Sequence, residues 1–290
     1  MNRRHALKAL TGLVLCPLCA STAFAAEGAH WTYEGSTGPD KWGDLDAASK
    51  VCSVGSQQSP IDIVGSIKAQ LPPLRIAWGK TADSIVNNGH TIQLNAAEGS
   101  TLSFGGEPYK LVQFHFHHPS EHLIRGKSFP MEVHFVHAHA SGALAVVGTL
   151  MVAGKRNPVF SKIIATMPTH EGETVKADPA INPNGFLPAR LTYYRYPGSL
   201  TTPPCSETVE WLLLTDPIQV ADADIDGFAK LYARARPRRR TAVPCYVLAD
   251  GRTRGGSAQC PLWVTCGRRL GKNFLTFLQH WSGAVTCPAC

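Results

Sequence analysis

Three histidines in two short segments have the residue type and the spacing of a metal site. His115 and His117 lie two positions apart, and His134 follows seventeen residues later. Side chains alternate between the two faces of a β-strand, so His115 and His117 project from the same face. If a second strand returns antiparallel with His134 on that face, the three imidazoles can hold Zn²⁺ and leave a fourth position open to water. Gln113 and Glu132, each two positions before a ligand, are placed to orient the histidine rings.

A single His-x-His pair is weak evidence for a metal site, because histidines on strands are often hydrogen-bonded core or edge residues. The chain also contains other histidines that compete for the same role. They are His118, His122, His137, His139 and His170. The case for the site therefore depends on motifs elsewhere in the chain.

Eight segments within residues 30–237 resemble a bacterial α-class carbonic anhydrase and occur in the order of that family. The segments are His30-Trp31-x-Tyr33, Gly38-Pro39-x-x-Trp42-Gly43, Gln58-Ser59-Pro60-Ile61-Asp62-Ile63, Asn87-Asn88-Gly89-His90, Gln113 to His117, Pro119-Ser120-Glu121-His122, Glu132-x-His134 and Ser199 to Cys205. The resemblance implies a mostly β single domain on a central twisted, largely antiparallel sheet with short peripheral helices. It implies reversible hydration of CO₂ to bicarbonate and a proton. It also implies Zn²⁺ held by His115, His117 and His134, with the backbone carbonyl of Arg234 orienting His117.

The resemblance assigns Thr201 and Glu121 to the catalytic step. A threonine hydroxyl that accepts a hydrogen bond from zinc-bound hydroxide must donate its own proton elsewhere, and an ionised carboxylate such as Glu121 only accepts. Thr201 and Glu121 together would therefore orient the hydroxide for attack on CO₂. Outside this motif Thr201 is only a turn residue before two prolines, so its role rests on the resemblance.

By the same resemblance, His90 is the proton shuttle. Its unperturbed pKa near 6.5 lets a histidine exchange protons with buffer at neutral pH. Tyr33, Asn88 and Gln93 would line the polar side of the site and hold connecting waters. An isolated Asn-Gly-His sequence is more typical of a surface turn, so the role of His90 also depends on the family motif.

The substrate side of the site is expected to be apolar, because CO₂ offers almost nothing to hydrogen-bond. By position, Val136, Val146, Leu200 and Trp211 match the hydrophobic pocket of the family. Thr202 would contact bicarbonate or ordered water. Spacing alone does not separate these apolar side chains from ordinary strand core.

Residues 1–25 have the features of a signal peptide. Arg3 and Arg4 precede an apolar run over residues 9–19, and Ala23 and Ala25 offer the small residues of a cleavage site. The paired arginines favour the twin-arginine export route over general secretion. The mature protein is therefore expected in the periplasm or outside the cell. No apolar stretch reaches eighteen residues, so no permanent membrane span is expected.

Cys52 and Cys205 match the disulfide pair of secreted bacterial members of the family, and an exported protein meets the oxidising conditions that such a bond needs. In the chain-entropy model, closing a loop of this size stabilises the fold by at most roughly 5 kcal/mol.

The net charge of +7 belongs to the C-terminal part of the chain. Residues 26–235 hold sixteen basic and twenty acidic side chains, whereas residues 236–290 hold nine basic and one acidic. Nucleic-acid binding by the main domain therefore has no support. We predict a catalytic domain over residues 26–237. Residues 238–290 depart from the family pattern and read either as a divergent, basic, cysteine-containing extension or as the product of a shifted reading frame.

Apolar runs between turn signals predict the regular elements. The predicted strands are Ser84–Asn87, Thr91–Leu94, Leu111–His117, Glu132–His137, Leu144–Val152 and Val209–Leu214, and the predicted helices are Pro158–Met167 and Asp222–Tyr232. Asp222 or Asp224 is the expected N-cap of the second helix. Monomer and dimer stay equally open. Two other functions also stay open, a non-catalytic binding module on the same fold and a general zinc esterase.

Overall fold

The computed structural model describes residues 30–79, 81–232 and 248–250, and strands dominate this part of the chain. The strands are β1 (Asp62–Ile63), β2 (Ile67–Ala69), β3 (Arg75–Ala77), β4 (Ala82–Asn87), β5 (Ile92–Ala96), β6 (Thr101–Phe104), β7 (Glu107–His117), β8 (Leu123–Ile124), β9 (Met131–Ala138), β10 (Leu144–Ala153), β11 (Thr174–Lys176), β12 (Tyr193–Gly198), β13 (Val209–Leu214), β14 (Ile218–Val220) and β15 (Leu248–Asp250). The α-helices are α1 (Val51–Val54), α2 (Pro158–Thr166) and α3 (Asp222–Ala229), and short 3₁₀ turns lie at Gly35–Thr37, Trp42–Asp44, Ala48–Lys50 and Pro183–Phe186.

One large mixed sheet contains thirteen of these strands. Its path runs β11-β4-β5-β7-β9-β10-β13-β12-β15-β2, with β14 beside β10 and with β6 between β3 and β7. Most neighbours are antiparallel, whereas β13 and β14 run parallel to β10 and β15 runs parallel to β2. The strands β1 and β8 form a separate parallel pair. The predicted mostly β fold with a largely antiparallel sheet and few short helices is confirmed.

The strands and helices predicted from the sequence are all present, but some of their ends differ. The strand β7 starts four residues earlier than predicted, because Glu107–Lys110 pairs with β6. The predicted aspartate cap of α3 is wrong, since Ala221 is the N-cap and makes no side-chain capping bond. Asp222 is instead the first helical residue. Asp224 accepts a hydrogen bond from the Ser161 hydroxyl of α2 at 2.5 Å, which occupies its carboxylate in joining the two helices.

Alternate side chains of β7 serve two different layers of the protein. Phe114 and Phe116 are fully buried in the main core. Their rings lie 5.2 Å from Phe135 and 5.3 Å from Phe186, respectively, measured between ring centroids. Each buried phenylalanine contributes about 1.5–3 kcal/mol to folding. This packing fixes the face of β7 that meets the core and so directs the intervening histidines to the opposite face.

One segment of the predicted C-terminal extension lies in the large sheet. The strand β15 pairs antiparallel with β12 and parallel with β2, so it joins two strands that would otherwise be edges. The other residues of 238–290 and the predicted signal peptide, residues 1–25, lie outside the described residues. Within the described ranges, no helix is both long and apolar enough to cross a membrane.

Candidate metal centre

The antiparallel pairing of β7 and β9 brings the three predicted ligands together. His115 lies directly opposite His134, and His117 lies opposite Glu132. Each of His115, His117 and His134 offers one ring nitrogen, and these three nitrogens lie within 4.8 Å of one another. His117 and His134 are buried, and His115 is partly buried. The arrangement matches the one that the spacing of the histidines predicted.

Hydrogen bonds fix which nitrogen two of these rings present. The Nδ1 of His115 lies 2.8 Å from Oε1 of Gln113, and the Nε2 of His134 lies 2.8 Å from Oε1 of Glu132. Since these oxygens accept, both nitrogens carry the proton, and Nε2 of His115 and Nδ1 of His134 are left as free acceptors. Gln113 and Glu132 therefore hold the rings as expected from their positions two residues before each ligand.

Among the described residues, neither ring nitrogen of His117 has a hydrogen-bond partner, although both are buried. A buried polar nitrogen without a partner costs about 1–3 kcal/mol, so natural proteins rarely leave one. A metal ion bound beside the free acceptors of His115 and His134 would satisfy it. Arg234, whose backbone carbonyl was expected to orient His117, lies outside the described residues.

The electrostatics of the site favour neutral ligands. Burial lowers the pKa of His115 to about 3, and the neighbouring His134 adds to the shift. Burial also lowers the pKa of His117 well below its usual value and lowers that of His134, although Glu132 opposes the shift at His134. Because metal ions bind the neutral imidazole, the three rings are already in the binding form at neutral pH.

A buried network behind the site connects Glu132 to a distant strand. Burial opposes ionisation of Glu132, but His122 and His134 outweigh it and hold the pKa of this carboxyl well below its usual range. The Nδ1 of His122 donates to Glu132 at 2.7 Å, and its Nε2 lies 2.5 Å from the Tyr196 hydroxyl. That hydroxyl lies 3.2 Å from Oγ of Ser59. His122, Glu132 and His134 could also group around a metal, but these hydrogen bonds already occupy the nitrogens of His122.

Sequence reasoning placed His122 in one family-like segment and among the competing histidines, but it gave His122 no role and did not single out Tyr196. Their partnership joins positions 74 residues apart, and no local spacing signals it.

Glu121 and Thr201, predicted to act together, meet at the metal-ligand cluster. The carboxylate of Glu121 is buried, 3.2 Å from Nδ1 of His117 and 3.8 Å from Nδ1 of His134. Burial raises the pKa of Glu121 well above its usual value, Glu132 adds to the rise, and the Thr201 side chain opposes it. Neither carboxylate oxygen has the geometry of a complete hydrogen bond within the described residues. The side chain of Thr201 therefore lies beside Glu121.

The predicted apolar residues gather on one side of the histidines. Val146 lies opposite Val136 on β9 and Trp211 on β13, and all three belong to one apolar cluster with Leu200. The Trp211 ring lies 4.8 Å from the ring of His134. Val146 and Trp211 are only 2% exposed, so they act mainly as packing, whereas Val136 and Leu200 are partly exposed.

His90 lies on a turn beside the polar side of the site. Its ring stacks on Trp31, with centroids 3.6 Å apart. The backbone N–H of His90 donates to Oδ1 of Asn88 at 3.0 Å, so Asn88 shapes this turn. Gln93 lies opposite His115 in the next strand pair and connects the turn to the ligands. Burial and Glu121 raise the pKa of Tyr33 well above its usual value, which keeps its hydroxyl protonated.

Partial burial lowers the pKa of His90. The carboxylate of Glu171 opposes this shift, and His30 adds to it. At neutral pH the ring is therefore a neutral group that can accept a proton.

The predicted disulfide is confirmed. Cys52 and Cys205 are bonded, with their Cα atoms 5.1 Å apart. The backbone N–H of Cys205 donates to the carbonyl of Thr202 at 2.9 Å. The disulfide therefore fastens the segment that carries Thr201 and Thr202 to the N-terminal part of the domain.

Three neutral, converging imidazoles beside an apolar wall form the kind of ligand set found in metal-dependent enzymes. A family model described as eukaryotic-type carbonic anhydrase matches residues 37–245. The chain therefore belongs to the α-carbonic anhydrase family and is a lyase of that family. The range matched by the family model extends past residue 237, which was the predicted end of the catalytic domain.

Bacterial relatives and a solved structure agree with this assignment. The carbonic anhydrase of Pectobacterium atrosepticum is 42% identical over 219 residues, which cover 75% of this chain and 89% of that protein. The carbonic anhydrase of Neisseria gonorrhoeae is 41% identical over 220 residues, covering 75% and 87%. The α-carbonic anhydrase of Thermovibrio ammonificans, solved with the inhibitor sulfanilamide, is 39% identical with a TM-score of 0.74, covering 76% of this chain and 99% of that one.

Proposed function

We propose that this carbonic anhydrase uses Zn²⁺ held by His115, His117 and His134 to interconvert CO₂ and bicarbonate. The observation that carries the proposal is the set of ring nitrogens. Two rings are fixed with one nitrogen free to bind a metal, and the third, buried ring of His117 makes no hydrogen bond within the described residues. Three histidines with an open fourth position are typical of catalytic zinc. As is established for carbonic anhydrases themselves, such a zinc ion lowers the pKa of bound water to about 7 and so supplies hydroxide at neutral pH.

In this proposal Thr201 and Glu121 orient the nucleophile. Thr201 donates its proton to Glu121 and keeps its lone pairs for the attacking oxygen, which is left with one direction of attack. This role requires an ionised Glu121, although burial raises its pKa. A cation within a few ångströms lowers the pKa of a carboxyl, so binding of the metal favours the ionised form.

Removal of the proton is assigned to His90. Its neutral ring accepts a proton that leaves the site past Gln93, Asn88 and Tyr33, and then passes that proton to buffer. The stacking on Trp31 and the partial burial support a ring held at the boundary between site and solvent.

Substrate binding is assigned to the opposite side of the site. Val136 and Leu200 would contact CO₂, with Val146 and Trp211 packed behind them. Thr202, the next residue after Thr201, would contact bicarbonate or ordered water.

Export to the periplasm or secretion is part of the same proposal. A disulfide forms and persists in oxidising compartments, so the Cys52–Cys205 bond supports an exported protein. The predicted signal over residues 1–25 supports it independently. Periplasmic fractionation of the producing cell, with a cytosolic marker as reference, tests this assignment.

The two other functions predict different measurements. A non-catalytic binding module needs no converging ligand set, so the retention of all three histidines speaks against it. A general zinc esterase would use the same site, so hydrolysis of an activated ester should be compared with CO₂ hydration on one preparation.

Stopped-flow CO₂ hydration with metal content determined on the same sample tests the proposal. His117→Ala should lose stoichiometric zinc and hydration together, because two histidines form a weak site. His139→Ala changes a histidine that directly follows β9 and lies outside the cluster, so this variant should retain both. Full zinc occupancy and activity in His117→Ala would contradict the ligand assignment.

A further inference from the structure

The segment that carries Thr201 and Thr202 is held by hydrogen bonds and a disulfide to a second segment of the chain. We call residues 199–207 the threonine loop and residues 52–59 the brace segment. The backbone N–H of Ser59 donates to Oγ of Ser199 at 2.9 Å, and the backbone N–H of Ser199 donates to Oγ of Ser59 at 3.1 Å. This reciprocal pair holds the start of the threonine loop, while the Cys52–Cys205 bond holds its far part.

A third attachment is made by two side chains, Gln58 and Glu207. The side-chain amide of Gln58 donates to the carbonyl of Cys205 at 3.1 Å and to Oε1 of Glu207 at 2.9 Å. The same carboxylate oxygen accepts from the backbone N–H of Gln57 at 2.6 Å. Glu207 thus aims the amide of Gln58 at the carbonyl of Cys205.

The backbone of Cys205 has a conformation that needs support from neighbouring contacts. Cys205 has φ +57°, a left-handed backbone conformation that is unfavourable for a residue with a side chain. Its N–H already closes the turn on Thr202. A conformation of this kind persists only when surrounding contacts determine it. Gln58 supplies one of those contacts and the disulfide supplies another.

The packing around this attachment is close. A Cβ placed on Gly55 would lie 2.3 Å from Oε1 of Glu207, 2.4 Å from Nε2 of Gln58 and 2.6 Å from the carbonyl oxygen of Val51. No side chain fits there without displacing these groups. The absence of a side chain at Gly55 therefore lets Gln58 and Glu207 meet beside the end of α1.

We propose that Gln58 and Glu207 are positioning residues that hold Thr201 in its working place independently of the disulfide. The inference rests on the proposed role of Thr201. The hydrogen bonds of Gln58 and Glu207 go to Cys205, to Gln57 and to each other, so these residues act through the backbone of the threonine loop. Because two attachments hold Cys205, losing one leaves the far part of the loop partly ordered, and losing both releases that part.

The test measures kcat/KM for CO₂ at high buffer, expressed per bound zinc. Glu207→Ala should lower this value by about tenfold, since displacing a positioning group by an ångström can cost up to about a hundredfold. Glu207→Gln keeps an oxygen acceptor and should stay within about threefold of the unaltered protein. Glu210→Ala is the matched control, because Glu210 binds Arg195 at 2.6 Å instead of the brace segment. It should leave the value unchanged.

Two further measurements separate positioning from general destabilisation. In a double-mutant cycle, Thr201→Ala with Glu207→Ala should lose little beyond Thr201→Ala alone, because the brace acts only through Thr201. After reduction of the disulfide, Glu207→Ala should lose more activity per zinc than the reduced unaltered protein loses. If Glu207→Ala folds poorly, Gln58→Met disturbs the same attachment and should give the same pattern.

The possible outcomes are distinct. Full activity per zinc in Glu207→Ala and Gln58→Met, before and after reduction, would overturn the proposal while leaving the role of Thr201 intact. An additive loss in the cycle would also overturn it. Full activity in Thr201→Ala would instead refute the proposed function of the threonine.

Discussion

Replacing Glu132 with glutamine tests how far the buried network controls the metal site. The carboxylate accepts from Nε2 of His134 at 2.8 Å, from Nδ1 of His122 at 2.7 Å and from the backbone N–H of His122 at 2.9 Å. A glutamine side chain has one accepting oxygen and one donating NH₂ group. Whichever way it turns, its NH₂ group faces an N–H that it cannot accept from.

The conflict falls on a different group in each orientation of the amide. If the NH₂ group donates to Nε2 of His134, the proton of that ring must move to Nδ1, which is the nitrogen left free for the metal. If the NH₂ group instead faces the backbone N–H of His122, that buried donor stays unpaired at about 1–3 kcal/mol, and His134 keeps a neutral acceptor in place of a carboxylate. Changes of this kind behind a metal ligand typically cost 10- to 100-fold in affinity. That range corresponds to about 1.4–2.8 kcal/mol.

Competition with a chelator measures the zinc affinity, and circular dichroism confirms that the fold is kept. Glu210→Gln is the matched control, since Glu210 pairs with Arg195 near the surface. This variant should keep the zinc affinity of the unaltered protein. Zinc affinity of Glu132→Gln within about threefold of the unaltered protein would refute the reasoning, because it would show that His134 does not depend on the charge of this acceptor.

Three more predictions follow from single features of the structure. Glu171→Gln should lower the pKa of His90, because this carboxylate raises it; NMR titration of the ring measures the shift, and a rise or no change would contradict the assignment. Thr149→Val should raise the free energy of unfolding by about 1 kcal/mol in urea, because the Thr149 hydroxyl is buried without a partner among the described residues; a loss of stability would show that the hydroxyl is bonded. A chain ending at Asp250 should keep zinc binding and hydration, whereas a chain ending before Leu248 loses β15 and should unfold at lower urea; equal stability of the two would show that β15 adds nothing to the sheet.

Much of the metal site could be predicted from the sequence because its information is local. The two-residue period of a strand places His115 and His117 on one face, and the same period places Phe114 and Phe116 in the core. The positions of Gln113 and Glu132, two residues before a ligand, predicted their contacts. The predicted pairing of Cys52 with Cys205 had a different basis, since only the family resemblance suggested it.

Only the tertiary structure decided the contacts between segments that are far apart in the chain. Tyr196 reaches His122 across 74 residues, and Gln58 reaches Glu207 across 149. The sequence likewise gave no reason to place Leu248–Asp250 between β12 and β2. Each of these contacts depends on how the strands are ordered in the sheet and on where the connecting segments therefore lie. Strand periodicity determines which face a side chain takes, but only the packing of the whole sheet determines which distant residue it meets there.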